Sequence, residues 1–420
     1  MVRHTRRDVL KLSGGLLGGI AVGSTVTAAT STERFVVQAE PADLGDDLSL
    51  VHEMPGVKFV AVEGDESAVS ALGADYAPDI ELQLSEPIQS HVTELEDEPM
   101  YGYQWDKPAI NAPGAHHYSR GDGARIAIVD SGVDANHPDL APNMNNELSR
   151  NFTDDGMGPG PYGGDHGTHV AGIAAASDRN DVGIGGTAPD AEIVDCRVFS
   201  SEPGASFADI LAANVYAANI GCDVINMSLG AYPVPRQGLG EFYGKVLNYT
   251  MAYVRRQGSL VVASAGNDGA DLQHDGSLIS LPNEASNVMS IAATGPIGYM
   301  WGEEGLREEP WSHAFYTNYG TNAISLSAPG GDADLDAIGT GVAWYLDLVF
   351  STLPNGGYGW KAGTSMAAPN VAGAAALVAS QMEKKNANKV KKTLCNSARD
   401  VGNKEYHGAG FLDAEAAVKN

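Results

Sequence analysis

The chain has 420 residues, 43% of them hydrophobic, and 26 Lys+Arg against 53 Asp+Glu give a formal net charge of -27. Such a surface repels nucleic acid and anionic lipid, which argues against polyanion binding, and it stays soluble where salt screens self-repulsion, so a high-salt habitat is expected. Three widely spaced cysteines, Cys196, Cys222 and Cys395, rule out a disulfide framework or a cysteine zinc site; the first two lie in apolar runs and read as small core residues.

In chain order, "HTRRDVLKLSGG" places Arg6-Arg7 before a mild apolar run reaching about Thr30. That run is too short to span a membrane permanently, and residues 1–30 resemble a twin-arginine signal peptide, with "VTA" before a cleavage point. Residues 31–90 read as a small α+β unit. "RFVVQA", "VKFVAVEG" and "DIELQLSE" are its strands, and "ESAVSALGA" is a short helix. Residues 91–100, "HVTELEDEPM", are polar and aperiodic, and read as an exposed linker.

From Tyr101 the pattern changes. "ARIAIVDSG", "AEIVDCRVF", "CDVINMSLG", "SLVVASAGN" and "NVMSIAAT" are short apolar runs. They alternate with the helical stretches "GTHVAGIAAAS", "FADILAANVYAANI" and "GKVLNYTMAYVRRQ", so 101–420 is expected to hold a mostly parallel sheet covered on both faces. Asp130, Ser228 and Asn267 each fall at the end of such a run, where ligands gather in α/β sheets. Residues 295–311 and 330–351 read as surface loops.

The stretch "WKAGTSMAAPNVAGAAALVA" sets Ser365 at the start of an Ala-rich helix. Ser caps helices routinely. A Ser hydroxyl becomes a nucleophile only when a base takes its proton and a third group orients that base. His166, in "DHGTHVAGI", and Asp130, in "IVDSGVD", are of the right types, and Asn267 offers an amide for an oxyanion. His166 and His169 have near metal-ligand spacing, but there is no HExxH pattern and no obvious third ligand, so His169 reads as packed or hydrogen-bonded.

"IAIVDSGVDANHPDL", "HGTHVAGIAA", "INMSLG", "VVASAGN", "LSAPG" and "GTSMAAPNVAGAAALV" together resemble the signature segments of the subtilisin-like serine proteases, the subtilases of peptidase family S8, including their secreted haloarchaeal members. The resemblance implies a three-layer α/β fold with a mostly parallel sheet. It also implies a secreted serine endopeptidase in which Asp130 orients the base His166 and Ser365 attacks. Asn267 and the Ser365 N–H would form the oxyanion hole, and Ser228, Leu229, Gly230, Ser264, Ala265 and Gly266 would line the substrate cleft. It further implies that residues 31–90 are an inhibitor-type propeptide, cut off somewhere between Leu84 and Glu98, so that the enzyme is made as a zymogen. Its partners would be polypeptide substrates and its own propeptide, with no nucleic acid, no stable membrane span and a monomeric state.

Asp139 matches a family calcium ligand and "SDRNDVGI" its calcium loop, with Asn180 the leading side chain and Asp178 and Asp181 as rivals. Calcium is therefore expected as a structural cofactor. Asp332, Asp334 and Asp336 alternate in a loop without EF-hand spacing. Asp268 is expected near the entrance of the acyl-side pocket, and Asn370 stands where many relatives carry His. The alternative function is a subtilase-fold binding or inhibitory scaffold without turnover. An α/β-hydrolase esterase is excluded, because no G-x-S-x-G surrounds Ser365.

Overall fold

The structure, a computed structural model, describes residues 30–82, 84, 87–90, 99–201, 204–302 and 305–420. The expected signal peptide, apart from Thr30, and positions 91–98 of the expected linker lie outside the described residues.

A seven-stranded parallel sheet organises the chain from Tyr101 on. Its strands run Leu326–Pro329, Val288–Thr294, Leu260–Ser264, Val224–Met227, Arg125–Asp130, Glu192–Arg197 and Arg150–Asn151 in spatial order. Side chains alternate across a strand, so each strand serves two cores. Ile126 and Ile128 pack with the helices His166–Ala175 and Thr364–Ala379. Ala127 and Val129 pack on the other face with the helices Phe207–Asn219 and Leu239–Gln257. This is the three-layer α/β arrangement expected from the continuous apolar runs.

The two buried helices approach closely because their contact face is small. A Cβ on Gly373 would lie 2.7 Å from the carbonyl oxygen of Ala174. Local signals start and stop the outer pair: Ser206 Oγ accepts the Asp209 N–H at 3.3 Å, and Gly258 ends Leu239–Gln257 in the left-handed conformation.

Residues 30–82 form a second, antiparallel sheet in the order Ser49–Glu53, Val60–Glu63, Thr30–Val37, Tyr76–Leu82, extended by Ala205–Ser206 of the main unit. Phe35, Val37 and Val62 face its own helix, Glu66–Ala71. Val36, Phe59, Ile80 and Leu82 face the other way, into the core of the two outer helices. The unit is therefore docked by shared hydrophobic burial, the main favourable term in association. Polar contacts fix its register. Asp79 accepts from Ser206 Oγ (2.5 Å) and the Ala208 N–H (3.2 Å), and Tyr243 donates to the Pro78 carbonyl (2.6 Å).

The expectation that residues 330–351 are a surface loop needs correction. Leu348, Val349 and Phe350 are fully buried, and Val349–Leu353 pairs antiparallel with Gly357–Ala362. The Gly- and Asp-rich start of the stretch hides a short strand at its end. No helix among the described residues is long and apolar enough to cross a membrane.

Candidate active site

Asp130 ends the central strand Arg125–Asp130 and is fully buried. Its Oδ1 accepts from the Ser131 N–H at 2.7 Å and from His166 Nδ1 at 2.8 Å. His166 opens the helix His166–Ala175, and the Gly167 N–H donates to Ser131 Oγ at 2.9 Å, tying helix start to strand end. A carboxylate only accepts, so Nδ1 carries a proton, and in the neutral imidazole Nε2 is then the acceptor. His166 Nε2 is buried and has no hydrogen-bond partner among the described residues. His169 turns away: its Nε2 meets the Gly359 carbonyl at 3.1 Å, and burial pushes its pKa well down.

Ser365 lies in the first turn of Thr364–Ala379, where backbone N–H groups point out of the helix. Its hydroxyl donates to the Ser228 carbonyl at 3.2 Å, and Ser228 Oγ donates back to the Ser365 carbonyl at 2.8 Å. This reciprocal pair joins the helix to the end of the strand Val224–Met227. Asn267 Oδ1 accepts the Thr364 N–H (2.9 Å) and hydroxyl (2.8 Å), which turns its Nδ2 the other way. A Cβ on Gly363 would stand 3.5 Å from Asn267 Nδ2 and 3.6 Å from the Ser365 nitrogen. Both donors thus border one small space that a side-chainless residue keeps open. The structure brings Asp130 and His166 into direct contact, and Ser365, Asn267 and Ser228 into a second connected cluster.

Ser228, Leu229, Gly230, Ser264 and Gly266 border a narrow opening beside Ser365, with a free volume of about 20 Å³. Asp268 borders it too and accepts from Asn318 Nδ2 at 3.0 Å. Ala265 does not: it is fully buried in a small cluster with Ala292 and Ile324, because the strand's alternation turns it inward. Leu84 of the N-terminal segment reaches the opening, and Ile88–Ser90 pairs with Trp360–Ala362 beyond it.

One residue in this region is invisible in sequence. Asp195 is buried, and one of its oxygens accepts the N–H groups of Val133 (3.1 Å) and Gly160 (2.7 Å), bracing the turn after Asp130. Burial pushes its pKa up to about 7 against those two N–H donors. A lone Asp inside "AEIVDCRVF" carries no spacing signal.

The residues singled out for calcium also meet. Asp139 is fully buried, with Oδ1 accepting from Asn180 Nδ2 (2.7 Å) and Oδ2 from the Ile184 N–H (2.9 Å) and the Tyr358 hydroxyl (3.0 Å). Asn180 Oδ1 is a buried acceptor without a donor among the described residues, and no Lys or Arg there forms an ion pair with Asp139. A buried carboxylate without a cation beside an orphaned oxygen fits a hard cation. Asp334 instead pairs with Arg307, and among the described residues no three carboxylates, histidines or cysteines converge as a metal cluster. Asn370 lies within the nucleophile's helix, fully buried and accepting from Lys107 Nζ at 3.0 Å.

Residues 121–411 match the Subtilase family profile. Thermitase of Thermoactinomyces vulgaris is 33% identical over 317 residues, 75% of this chain and 96% of that protein. A halolysin-like extracellular serine protease of Natrialba magadii is 29% identical over 445 residues, covering 98% and 73%. Among solved structures, the epidermin leader peptide processing serine protease of Staphylococcus aureus superposes with a TM-score of 0.74 at 24% identity, covering 92% of this chain and 98% of that one. With a sheet whose strand ends carry Asp130, Ser228 and Asn267, and a family match across most of the chain, this protein belongs to the subtilases, the subtilisin-like serine endopeptidases.

Proposed function

We propose that the chain is a secreted zymogen whose mature form hydrolyses peptide bonds through Asp130, His166 and Ser365. The observation that carries this reading is the 2.8 Å Asp130–His166 contact, which leaves a buried imidazole nitrogen without a partner among the described residues. In this reading the Ser365 hydroxyl swings from the Ser228 carbonyl to His166 Nε2. His166 takes its proton as Oγ attacks the scissile carbonyl carbon. The oxyanion is met by Asn267 Nδ2 and the Ser365 N–H, both already held in place. Asp130 stabilises the imidazolium, which then protonates the leaving amine. Water repeats the cycle on the acyl-enzyme.

Residues 31–90 act as an inhibitor-type propeptide in this proposal. Support comes from the shared core with Phe207–Asn219 and Leu239–Gln257, from Leu84 bordering the opening beside Ser365, and from Ile88–Ser90 pairing with the strand Gly357–Ala362 that leads to it. Asp139 and Asn180 would hold a calcium ion, which adds rigidity to the loop and no chemistry to the reaction. Arg6-Arg7 and the apolar run after them support twin-arginine export, and the charge of -27 supports work in concentrated salt. Labelling with a sulfonyl fluoride tests the central claim. Modification at Ser365, abolished in Ser365→Ala, is expected; absence of labelling in matured protein would favour a scaffold without turnover.

A further inference from the structure

The N-terminal segment lays a side chain on a buried cation just past Ser365. Ile88, Gln89 and Ser90 pair antiparallel with Ala362, Lys361 and Trp360. Opposite residues in such a pair share a face, and Lys361 Nζ donates to Gln89 Oε1 at 2.7 Å. The same ammonium donates to both oxygens of Asp165, at 3.0 and 3.1 Å. Lys361's side chain is 2% exposed, whereas Asp165's is 40% exposed and Gln89 faces solvent. Gln89 is therefore the cover that separates the ammonium from the cleft. Asp165 directly precedes His166, and Lys361 stands in the strand that leads into Gly363 and Ser365.

The segment has the polarity of a substrate. Leu84 borders the opening at Ser228–Gly230, and Ile88–Ser90 follows downstream. A polypeptide bound in the same direction lays the residues after its scissile bond along Trp360–Ala362. We propose that Lys361, held by Asp165, forms a leaving-group-side subsite that selects a substrate side chain of Gln or Glu type and rejects Lys and Arg. This rests on the assignment of Ser365 as nucleophile.

The physical reason is the ammonium N–H that Gln89 accepts, beyond the contacts of Nζ with both oxygens of Asp165. An aliphatic substrate residue would cover that N–H without accepting from it, which costs the desolvation of a charged donor. A Lys or Arg would set a second cation against the first. An amide oxygen and a carboxylate oxygen both accept from that N–H, so Gln and Glu both fit. The plainer reading, that Lys361 only neutralises Asp165, makes no demand on the substrate.

The test is cleavage, by the self-processed enzyme, of a peptide library with a constant upstream half and four randomised positions after the cut. One position is expected to favour Gln and Glu over Leu and Lys by about tenfold in kcat/KM. In Lys361→Met that preference disappears at this position alone, and in Lys361→Glu it reverses toward Lys and Arg. Parent enzyme that cuts the library without such a position overturns the proposal, as does a preference that survives in Lys361→Met. If neither variant folds, the parent profile decides by itself. An uncut library together with an unlabelled Ser365 marks failure of the nucleophile assignment instead, and the subsite falls with it.

Discussion

Asn267 and Thr364 are joined twice: one side-chain oxygen of Asn267 accepts both the N–H and the hydroxyl of Thr364, at 2.9 and 2.8 Å. Thr364 Oγ1 also accepts the Gly266 N–H at 3.1 Å, so the residue beside the nucleophile clamps the loop that carries the amide donor. Asn267→Ala is expected to lower kcat by about 10²–10³ with KM little changed, a range measured for such a donor in a member of this family. Thr364→Val removes the hydroxyl's bonds to Asn267 and to the Gly266 N–H, keeps the Thr364 N–H bond, and leaves the Asn267 side chain unaltered. A loss of roughly tenfold in kcat is expected. Equal activity of Thr364→Val and parent would show that the clamp does not orient the amide.

Self-processing gives a second outcome to measure. If Ser365 cuts its own chain, the parent yields a shorter protein whose new N-terminus lies between Leu84 and Glu98, read by N-terminal sequencing. Ser365→Ala keeps the N-terminal unit attached, since its strand Tyr76–Leu82 and the Ile88–Ser90 pairing remain in place. Recovery of a shortened Ser365→Ala chain from a protease-deficient host would remove the zymogen reading.

Calcium is testable without an activity assay. Asp139 is buried with no Lys or Arg ion pair among the described residues, so a bound cation would offset a charge that the fold otherwise meets with hydrogen bonds. At a calcium concentration 100 times Kd the gain is about 2.7 kcal/mol, and a chelator removes it. The melting temperature should therefore fall by several degrees in EGTA and recover with calcium. In Asp139→Asn it should be low in both conditions. A parent melting curve indifferent to EGTA rules out the site.

Sequence alone revealed the rim of the sheet because the apolar runs stop at Asp130, Ser228 and Asn267, and strand ends in parallel sheets share one edge. It also showed the strands of the N-terminal unit, through the short apolar runs in "RFVVQA" and "VKFVAVEG". Other features left no local trace. Ile88–Ser90 is three residues in a polar stretch and becomes a strand only by pairing with Trp360–Ala362, far along the chain. Val349–Leu353 was masked by the Gly and Asp upstream of it. Lys361 and Asp195 are single charged residues in apolar surroundings, and only their partners reveal what they do. Ala265 was expected in the cleft with its motif, yet strand alternation turns it into the core.

Asp195 predicts a pH dependence of stability opposite to that of an ion-paired carboxylate. Burial raises its pKa from 3.8 to about 7, with the Val133 and Gly160 N–H groups opposing the shift. Between about pH 4 and 7 the folded chain therefore holds a proton that the unfolded chain has released. Where the native state binds more protons, stability falls as pH rises. The contribution is lost progressively across that window and stays lost above it, with an upper limit on the order of 4 kcal/mol. Asp195→Asn keeps a carbonyl oxygen for both N–H groups and has nothing to titrate. The stability difference between variant and parent, read from urea midpoints at each pH, should shift in the variant's favour from pH 4 to pH 7 and then level off. A difference that stays constant, or moves toward the parent, would mean that Asp195 is ionised in the folded chain and that the turn after Asp130 is braced by a carboxylate.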